Sequence, residues 1–496
     1  MKKNFLKLMC FALILALAML AAVACDTETG TSETATTAAD ADGTLAGTPT
    51  DGEQIVLYSF PDVDFGGQRM RIITQDRSDW AWSEMTTEEE LTGDPINDAI
   101  FSRNAMVEQG LNVEIVEFHL EDAPGMARRA ITAGIDEYDV IFTDSSQAGT
   151  LASQGMYLDL HNVPGLYLEN PWWNQNANQS AELLGRLFFT TSDANLVTND
   201  AIWVLYYNKR ILQDHQMADP VQMVHDGTWT IDVFYEMARD AARDITGSGV
   251  WSADDQWGIS THGLSFLAYF ICQGQQLVRL NADGEPYVVA PDDRFIQAFM
   301  NAHYLMNERD GLFLYAQNNF PGRTPDLDHA SKTFMHDMSL FCAEVLAWAR
   351  EFRVMEADFG LLPHPKFDVH QENYYTLMID TVPAFGIPVT VSDSERVGIF
   401  MEAMTGISAT TIIPAYYDVS LHGKFTRSDE CIEMLDIIRE GRIFDLAILY
   451  NWAGYYGAII TNGNSNNPSP VTVFERHENR ITDAIERTLD MFRELD

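Results

Sequence analysis

The stretch Tyr138-Asp139-Val140-Ile141-Phe142-Thr143-Asp144, continued by Ser145-Ser146-Gln147-Ala148-Gly149, decides how this chain is read. Residues 138–143 are apolar and rich in β-branched and aromatic side chains, the pattern of a buried strand. The chain then turns polar and small, and an apolar helical pattern begins near Leu151. A strand that feeds a helix through a polar loop is half of a βαβ unit. In open α/β sheets such loops lie at the carboxyl edge of the strands, where ligands bind. Asp144, Ser145 and Ser146 are therefore expected at a ligand cleft, in an α/β fold.

On the N-terminal side, residues 69–74 alternate and predict another strand. The loop after it, Gln75-Asp76-Arg77-Ser78-Asp79-Trp80, is polar and aromatic, which adds Asp76, Arg77 and Trp80 to the ligand-facing candidates. Gly93-Asp94-Pro95 starts a helix, and residues 113–118 predict a second strand. On the C-terminal side, residues 202–207 are a continuous apolar run ending in Asn208-Lys209-Arg210, as in a strand buried on both faces. Phe234, Met237, Ala238, Ala241, Ala242 and Ile245 recur at helical spacing behind Thr228-Trp229-Thr230. Ser392-Asp393-Ser394-Glu395 reads as a capping box ahead of Val397, Phe400, Met401 and Met404. Cys431, Met434, Leu435 and Ile438 form one further helical stripe, and Ile481, Ile485, Leu489 and Phe492 another.

A chain of 496 residues holds two or more ordinary domains, and 46% hydrophobic residues is enough for a sizeable core. Lys plus Arg is 31 and Asp plus Glu is 73, a formal net charge of −42. That argues against nucleic-acid binding and against docking on anionic lipid by charge. Met1-Lys2-Lys3-Asn4 with Lys7 is a basic leader, residues 11–20 are apolar, and Ala22-Val23-Ala24 precede Cys25. This is a secretory signal ending close to a lipobox; it resembles bacterial lipoprotein signals, with Ala22 where leucine is usual, and the resemblance implies lipidation at Cys25, against an ordinary cleaved signal or an uncleaved anchor helix. Residues 26–54 are Thr, Ala, Gly, Ser, Asp and Glu with almost no large apolar residue, a tether reaching roughly 30 Å. Cys272, Cys342 and Cys431 are far apart and lack metal-ligand spacing, so buried free thiols are expected.

No G-x-S-x-G, H-E-x-x-H, P-loop or G-x-G-x-x-G pattern occurs. No catalytic residue, metal or cofactor is expected. Aromatic residues stand out instead, several of them among polar neighbours: Trp172 and Trp173 beside Asn and Gln, Tyr416 and Tyr417 after Pro414, and Trp452, Tyr455 and Tyr456 near Asn451. Sugar rings stack C–H faces on aromatic rings, and their hydroxyls need polar partners. A single tryptophan is more often a packing residue, and Trp203 and Trp229 are assigned to the core.

Several segments together resemble the extracellular solute-binding proteins of bacterial ABC importers, the sugar-binding, maltose-binding-like family 1. Residues 138–142 through Leu151-Ala152, Gly155 and Leu158-Asp159-Leu160 are similar to its "YDV…LA..G.L.DL" segment. Leu205-Tyr206-Tyr207-Asn208-Lys209-Arg210-Ile211-Leu212 looks like "lyYNkdlf". Thr228-Trp229-Thr230-Ile231-Asp232-Val233-Phe234 looks like "TWdef". Gln256-Trp257-Gly258-Ile259, Phe359-Gly360-Leu361-Leu362-Pro363 and Gly386-Ile387-Pro388 follow in family order. The departure is residues 338–344, where the family often has a "G..am" strand and an aromatic ligand contact, and where no tryptophan comes before Trp348.

The resemblance implies a two-lobe, type II periplasmic-binding-protein-like α/β fold with hinge crossings and a ligand cleft between the lobes. Carried over, it puts residues 55–200 and 370–415 in one lobe and 201–369 and 416–496 in the other. Glu344, Trp452, Tyr455 and Tyr456 become second-lobe ligand candidates, with Tyr416 and Tyr417 near a crossing. The implied partners are a small-molecule ligand, expected to be a sugar, the permease subunits of an ABC importer, and the membrane through a lipid anchor. The protein is expected to be a monomer on the outer face of the cell membrane. The alternatives are a secreted polysaccharide-active enzyme on the same anchor and a sensor or adhesion module.

Overall fold

The computed structural model describes residues 57–76, 85–87, 91–252, 254–261, 263–307, 314–316, 329–421 and 429–494. Its strands, in chain order, are β1 (Gln68–Gln75), β2 (Val113–Leu120), β3 (Val140–Asp144), β4 (Trp203–Asn208), β5 (Trp257–Thr261), β6 (Val278–Leu280), β7 (Pro286–Val288), β8 (Leu314–Ala316), β9 (Ser339–Val345), β10 (Phe359–Leu362), β11 (Thr376–Leu377), β12 (Pro383–Gly386) and β13 (Arg442–Ile443). Two sheets organise two lobes, the first in the order β12-β3-β1-β2 and the second in the order β10-β4-β9-β5-β8.

In the first sheet β1 runs parallel to both β2 and β3, with Gln68 opposite Val113 and Ile72 opposite Val140. β12 closes the other edge of β3 antiparallel, with Pro383 opposite Asp144. A parallel strand covered on both faces has no solvent side, so Val140, Ile141, Phe142 and Thr143 are all buried. Asp139, fully buried, binds the strands to the covering helix Ser394–Ser408. It accepts from Arg71 Nε at 3.0 Å and Nη2 at 2.9 Å, and from Arg396 Nη2 at 2.9 Å. In the second sheet β4 pairs antiparallel with β9 and β10, while β5 runs parallel to β9 and β8. All six β4 residues are buried, which explains the unbroken apolar run as far as Tyr207.

The chain enters the second lobe at β4 and returns between β10 and β12. It passes over again between the helix Ile412–Leu421, packed on the first-lobe helix Pro95–Leu111, and the helix Asp429–Glu440, packed against β10. β11 and β13 pair in parallel beside these crossings. The helices Tyr455–Gly463 and Pro470–Glu494 finish the second lobe against the helix Asp293–Asn307. Ile481, Ile485, Leu489 and Phe492 are all buried, as the stripe requires.

Two local readings differ from the structure. The helix Ile231–Ala241 stops short of Ile245, which is exposed, because Ala242 turns extended (ψ 136°) and Arg243 bridges to Gln256. Asp393 rather than Ser392 caps the Ser394–Ser408 helix, its carboxylate accepting from the Arg396 N–H at 3.1 Å. The Ser392 hydroxyl donates to Asp136 instead. Thr230 takes the cap position of its helix without a side-chain hydrogen bond. Trp203 and Trp229 are core residues, and the Trp229 indole donates to the Pro363 carbonyl at 3.0 Å. Cys272 and Cys342 are buried free thiols whose pKa values burial pushes up. The Cys431 side chain, residues 1–56 with Cys25 and the tether, and the loop residues Arg77 and Trp80 lie outside the described residues.

Candidate functional site

β3 ends at Asp144, which is half-buried and occupies the cap position of the helix Ser145–Ala152. The antiparallel β12 brings the segment just before it alongside. The Ser145 N–H donates to the Val382 carbonyl at 2.9 Å, and the Ser145 hydroxyl donates to the Asp380 carbonyl at 3.2 Å. Asp144 and Asp380 thus sit together at the carboxyl edge of the first sheet. Asp76, exposed at the end of the neighbouring parallel β1, stands on the same edge, its N–H held by the Leu120 carbonyl at 3.0 Å.

From the second lobe the helix Tyr455–Gly463 points its first turn at this edge. It starts from a left-handed turn at Asn451, Ala453 and Gly454. Its far end is fixed to the second lobe, where His303 Nδ1 donates to the Gly463 carbonyl at 2.7 Å and the Asn464 amide donates to the Gly263 carbonyl at 3.0 Å. The Tyr456 hydroxyl donates to Asp380 Oδ2 at 2.7 Å, across the lobes. Burial, then the charges of Asp380 and Asp144, push the Tyr456 pKa up, so its hydroxyl stays a donor. One second-lobe tyrosine is therefore bonded to a first-lobe carboxylate, with the charge of a second one felt nearby. Such a site accepts hydrogen bonds from hydroxyl or amine donors. Among the described residues no group of His, Cys, Asp and Glu is placed to hold a metal ion.

The remaining sequence candidates have other surroundings. Ser145 is fully buried, and Ser146 is buried with its carbonyl accepting from the Thr150 hydroxyl at 2.9 Å. Glu344 is buried within β9, accepting from the Ser331 hydroxyl at 3.0 Å. Tyr416 is buried at the crossings and donates to Asp200 Oδ1 at 2.7 Å, so its hydroxyl is committed to the hinge. Tyr417 lies in the same helix, its side chain outside the described residues. Trp452 is buried, stacked on Tyr450 at 4.9 Å, and its indole donates to Thr488 at 3.0 Å. Tyr455 is fully buried. The tryptophan pair at 172–173 is not a stacking platform either, since both indoles donate to the Glu402 carboxylate, at 3.1 and 2.9 Å.

Asp380 went unrecognised in the sequence. No motif marks Met378-Ile379-Asp380-Thr381; the available signal was its place just before an apolar strand that returns to the first sheet. A larger cavity, about 540 Å³, lies at the other end of the Ser145–Ala152 helix, lined by Thr150, Ser153, Trp452, Arg487 and Thr488 among others. Its volume suits a ligand. Its position, behind the helix and away from the carboxyl ends of the strands, does not match where such sheets bind one.

Residues 108–271 match the family described as bacterial extracellular solute-binding protein. No curated protein sequence matches the chain. Among solved structures, the chain is similar to the GacH receptor of Streptomyces glaucescens, solved unliganded and with acarbose. The two are 12% identical over 86% of this chain and 98% of that one, with a TM-score of 0.52. It is similar to the maltose/maltodextrin-binding domain of Bdellovibrio bacteriovorus bound to maltotriose, at 13% identity over 84% and 100% and a TM-score of 0.53. It is also similar to an ABC-transporter solute-binding protein of Thermotoga lettingae bound to α-D-tagatose, at 12% identity over 84% and 100% and a TM-score of 0.53. These likenesses show the fold, the bilobed periplasmic-binding-protein-like architecture. The matched family is one of non-catalytic binding proteins.

Proposed function

We propose that this chain, a bacterial extracellular solute-binding protein by its matched segment and its bilobed fold, is the carbohydrate-binding subunit of an ABC importer. The observation that carries the reading is the Tyr456–Asp380 hydrogen bond where the second lobe touches the carboxyl edge of the first sheet, beside Asp144. Carboxylates there are acceptors for sugar hydroxyls, and lobe closure over a sugar is a population shift of a hinged body. The named ligands of similarly folded proteins, acarbose, maltotriose and tagatose, agree with that chemistry.

Asp76, Asp144 and Tyr456 are the ligand-facing residues in this reading. Ser145, Ser146, Glu344, Trp452 and Tyr455 are buried supports, and Tyr416 belongs to the hinge. Cys25 carries a lipid anchor that holds the protein on the outer face of the membrane, within tether reach of the permease. A thermal-shift screen over mono- and oligosaccharides tests the reading. A sugar at 100 times its Kd should stabilise the fold by about 2.7 kcal/mol. No shift with any sugar, and a clear shift with a peptide or an organic acid, would replace the carbohydrate assignment.

A further inference from the structure

We propose that Tyr456 is a ligand mimic: its hydroxyl holds the place on Asp380 that a hydroxyl of the bound sugar takes over, which makes Asp380 the selector for a hydrogen-bond-donating ligand that is not an anion. This rests on the interlobe cleft being the ligand site. The contact joins separate bodies, because Asp380 is tied to the end of β3 through Ser145, and Tyr456 rides on a helix fastened to the second lobe at Gly463 and Asn464. Beside the pair lies a void of only about 20 Å³, walled by Leu264, Ile379, Ile448 and Ile460. That is room for one water, against about 300–1,000 Å³ for a ligand pocket. A sugar reaching Asp380 therefore has to part Tyr456 from it.

The surroundings specify what can make that exchange. The Asp380 oxygen now receives an O–H, so the incoming group must also donate. Asp144 stands on the same edge and repels an anion. The isoleucine and leucine walls suit the C–H face of a ring. A neutral pyranose or polyol edge meets all three demands; a sugar acid or sugar phosphate presented at this point meets none at its charged end. Each such exchange trades one charge-assisted hydrogen bond for another, so the Tyr456 bond lowers the apparent affinity of every ligand by what it costs to break.

The test uses the full chain and two variants, Tyr456→Phe and Asp380→Asn. Hydrogen exchange of the 380–382 amides in protein without added sugar reads the interlobe contact directly. The phenylalanine variant should exchange there at least about threefold faster, while the β1 and β4 amides stay unchanged. Titration with maltotriose as the first probe should give about three- to tenfold tighter binding for Tyr456→Phe and at least tenfold weaker binding for Asp380→Asn. Weaker or unchanged binding of Tyr456→Phe would make Tyr456 an ordinary ligand contact and overturn the inference, as would unchanged exchange. If the wild type binds neither maltotriose nor any sugar in the screen, the carbohydrate reading falls instead, and the exchange experiment still decides the interlobe contact.

Discussion

Replacing Arg350 by methionine should cost this protein several kcal/mol without touching the cleft. Arg350 sits in the second-lobe helix Trp348–Phe352, and Asp200 lies just ahead of the crossing into β4. Their side chains are 5% and 2% exposed, with Nη2 2.9 Å from Oδ2. Tyr416, on a helix packed against the first lobe, donates to the other Asp200 oxygen at 2.7 Å, and the guanidinium lies 5.7 Å from its ring. Burial disfavours the Arg350 charge, but Asp200 together with Tyr416 and Tyr206 more than offsets it and raises the Arg350 pKa. Removing the cation leaves a buried carboxylate with only neutral partners, an expected loss of about 3–5 kcal/mol. Removing the Tyr416 hydroxyl should cost about 1.5–3 kcal/mol, the value of a hydrogen bond to a charged group. The double variant Asp200→Asn with Arg350→Met takes away both charges and should recover at least about 1 kcal/mol over the single Arg350 variant. Urea unfolding reads all three, as shifts in midpoint at constant slope. An Arg350→Met protein within about 0.5 kcal/mol of wild type, or a double variant no better than the single one, would refute the reasoning.

Gly149→Ala should destabilise by about 1–3 kcal/mol in the same assay, because a Cβ there would stand 2.0 Å from the Leu449 carbonyl oxygen, backbone that cannot swing aside. Glu402→Gln should lose about 1–3 kcal/mol and alter tryptophan fluorescence. The carboxylate takes donors from Tyr167, Asn170, Trp172 and Trp173, and an amide nitrogen would oppose one of them. His364 is fully buried, and burial pushes its pKa down to about 3. A pKa depressed on folding means that the neutral ring is the folded form. Its stability contribution is present above the ordinary value near 6.5 and is lost as pH falls toward 3, by up to about 1.4 kcal/mol per pH unit. Thermal melts from pH 7 to pH 4 should show a shallower decline for His364→Leu than for wild type; parallel declines would contradict this. Trp452→Phe should lower the melting temperature through the lost Thr488 bond and leave sugar affinity within about twofold, as expected of a buried support.

The lobes were legible because their strands carry strong local signals. Residues 140–142 and 202–207 are apolar without alternation, as in strands covered on both faces. The position of the candidate site was legible in part. The loop after β3 could be placed from its position alone, since a parallel strand must deliver its carboxyl end there. The aromatic residues were misleading for a physical reason. Trp452 and Tyr455 lie among polar neighbours in sequence, but the helix Pro470–Glu494, arriving later in the chain, covers Trp452 and bonds its indole. Trp172 and Trp173 likewise answer to Glu402, some 230 residues away in the chain. Asp380 had the opposite fate. It is unremarkable in its own segment and gains its role only because β12 returns antiparallel beside β3.

A crystal structure of the protein with its best-stabilising sugar tests the central claim most directly. The sugar should lie between the lobes, with hydroxyls within hydrogen-bond distance of Asp144 and Asp380 and with Tyr456 parted from Asp380. A sugar lodged instead beside Arg487 and Trp452, with the Tyr456–Asp380 bond intact, would contradict it.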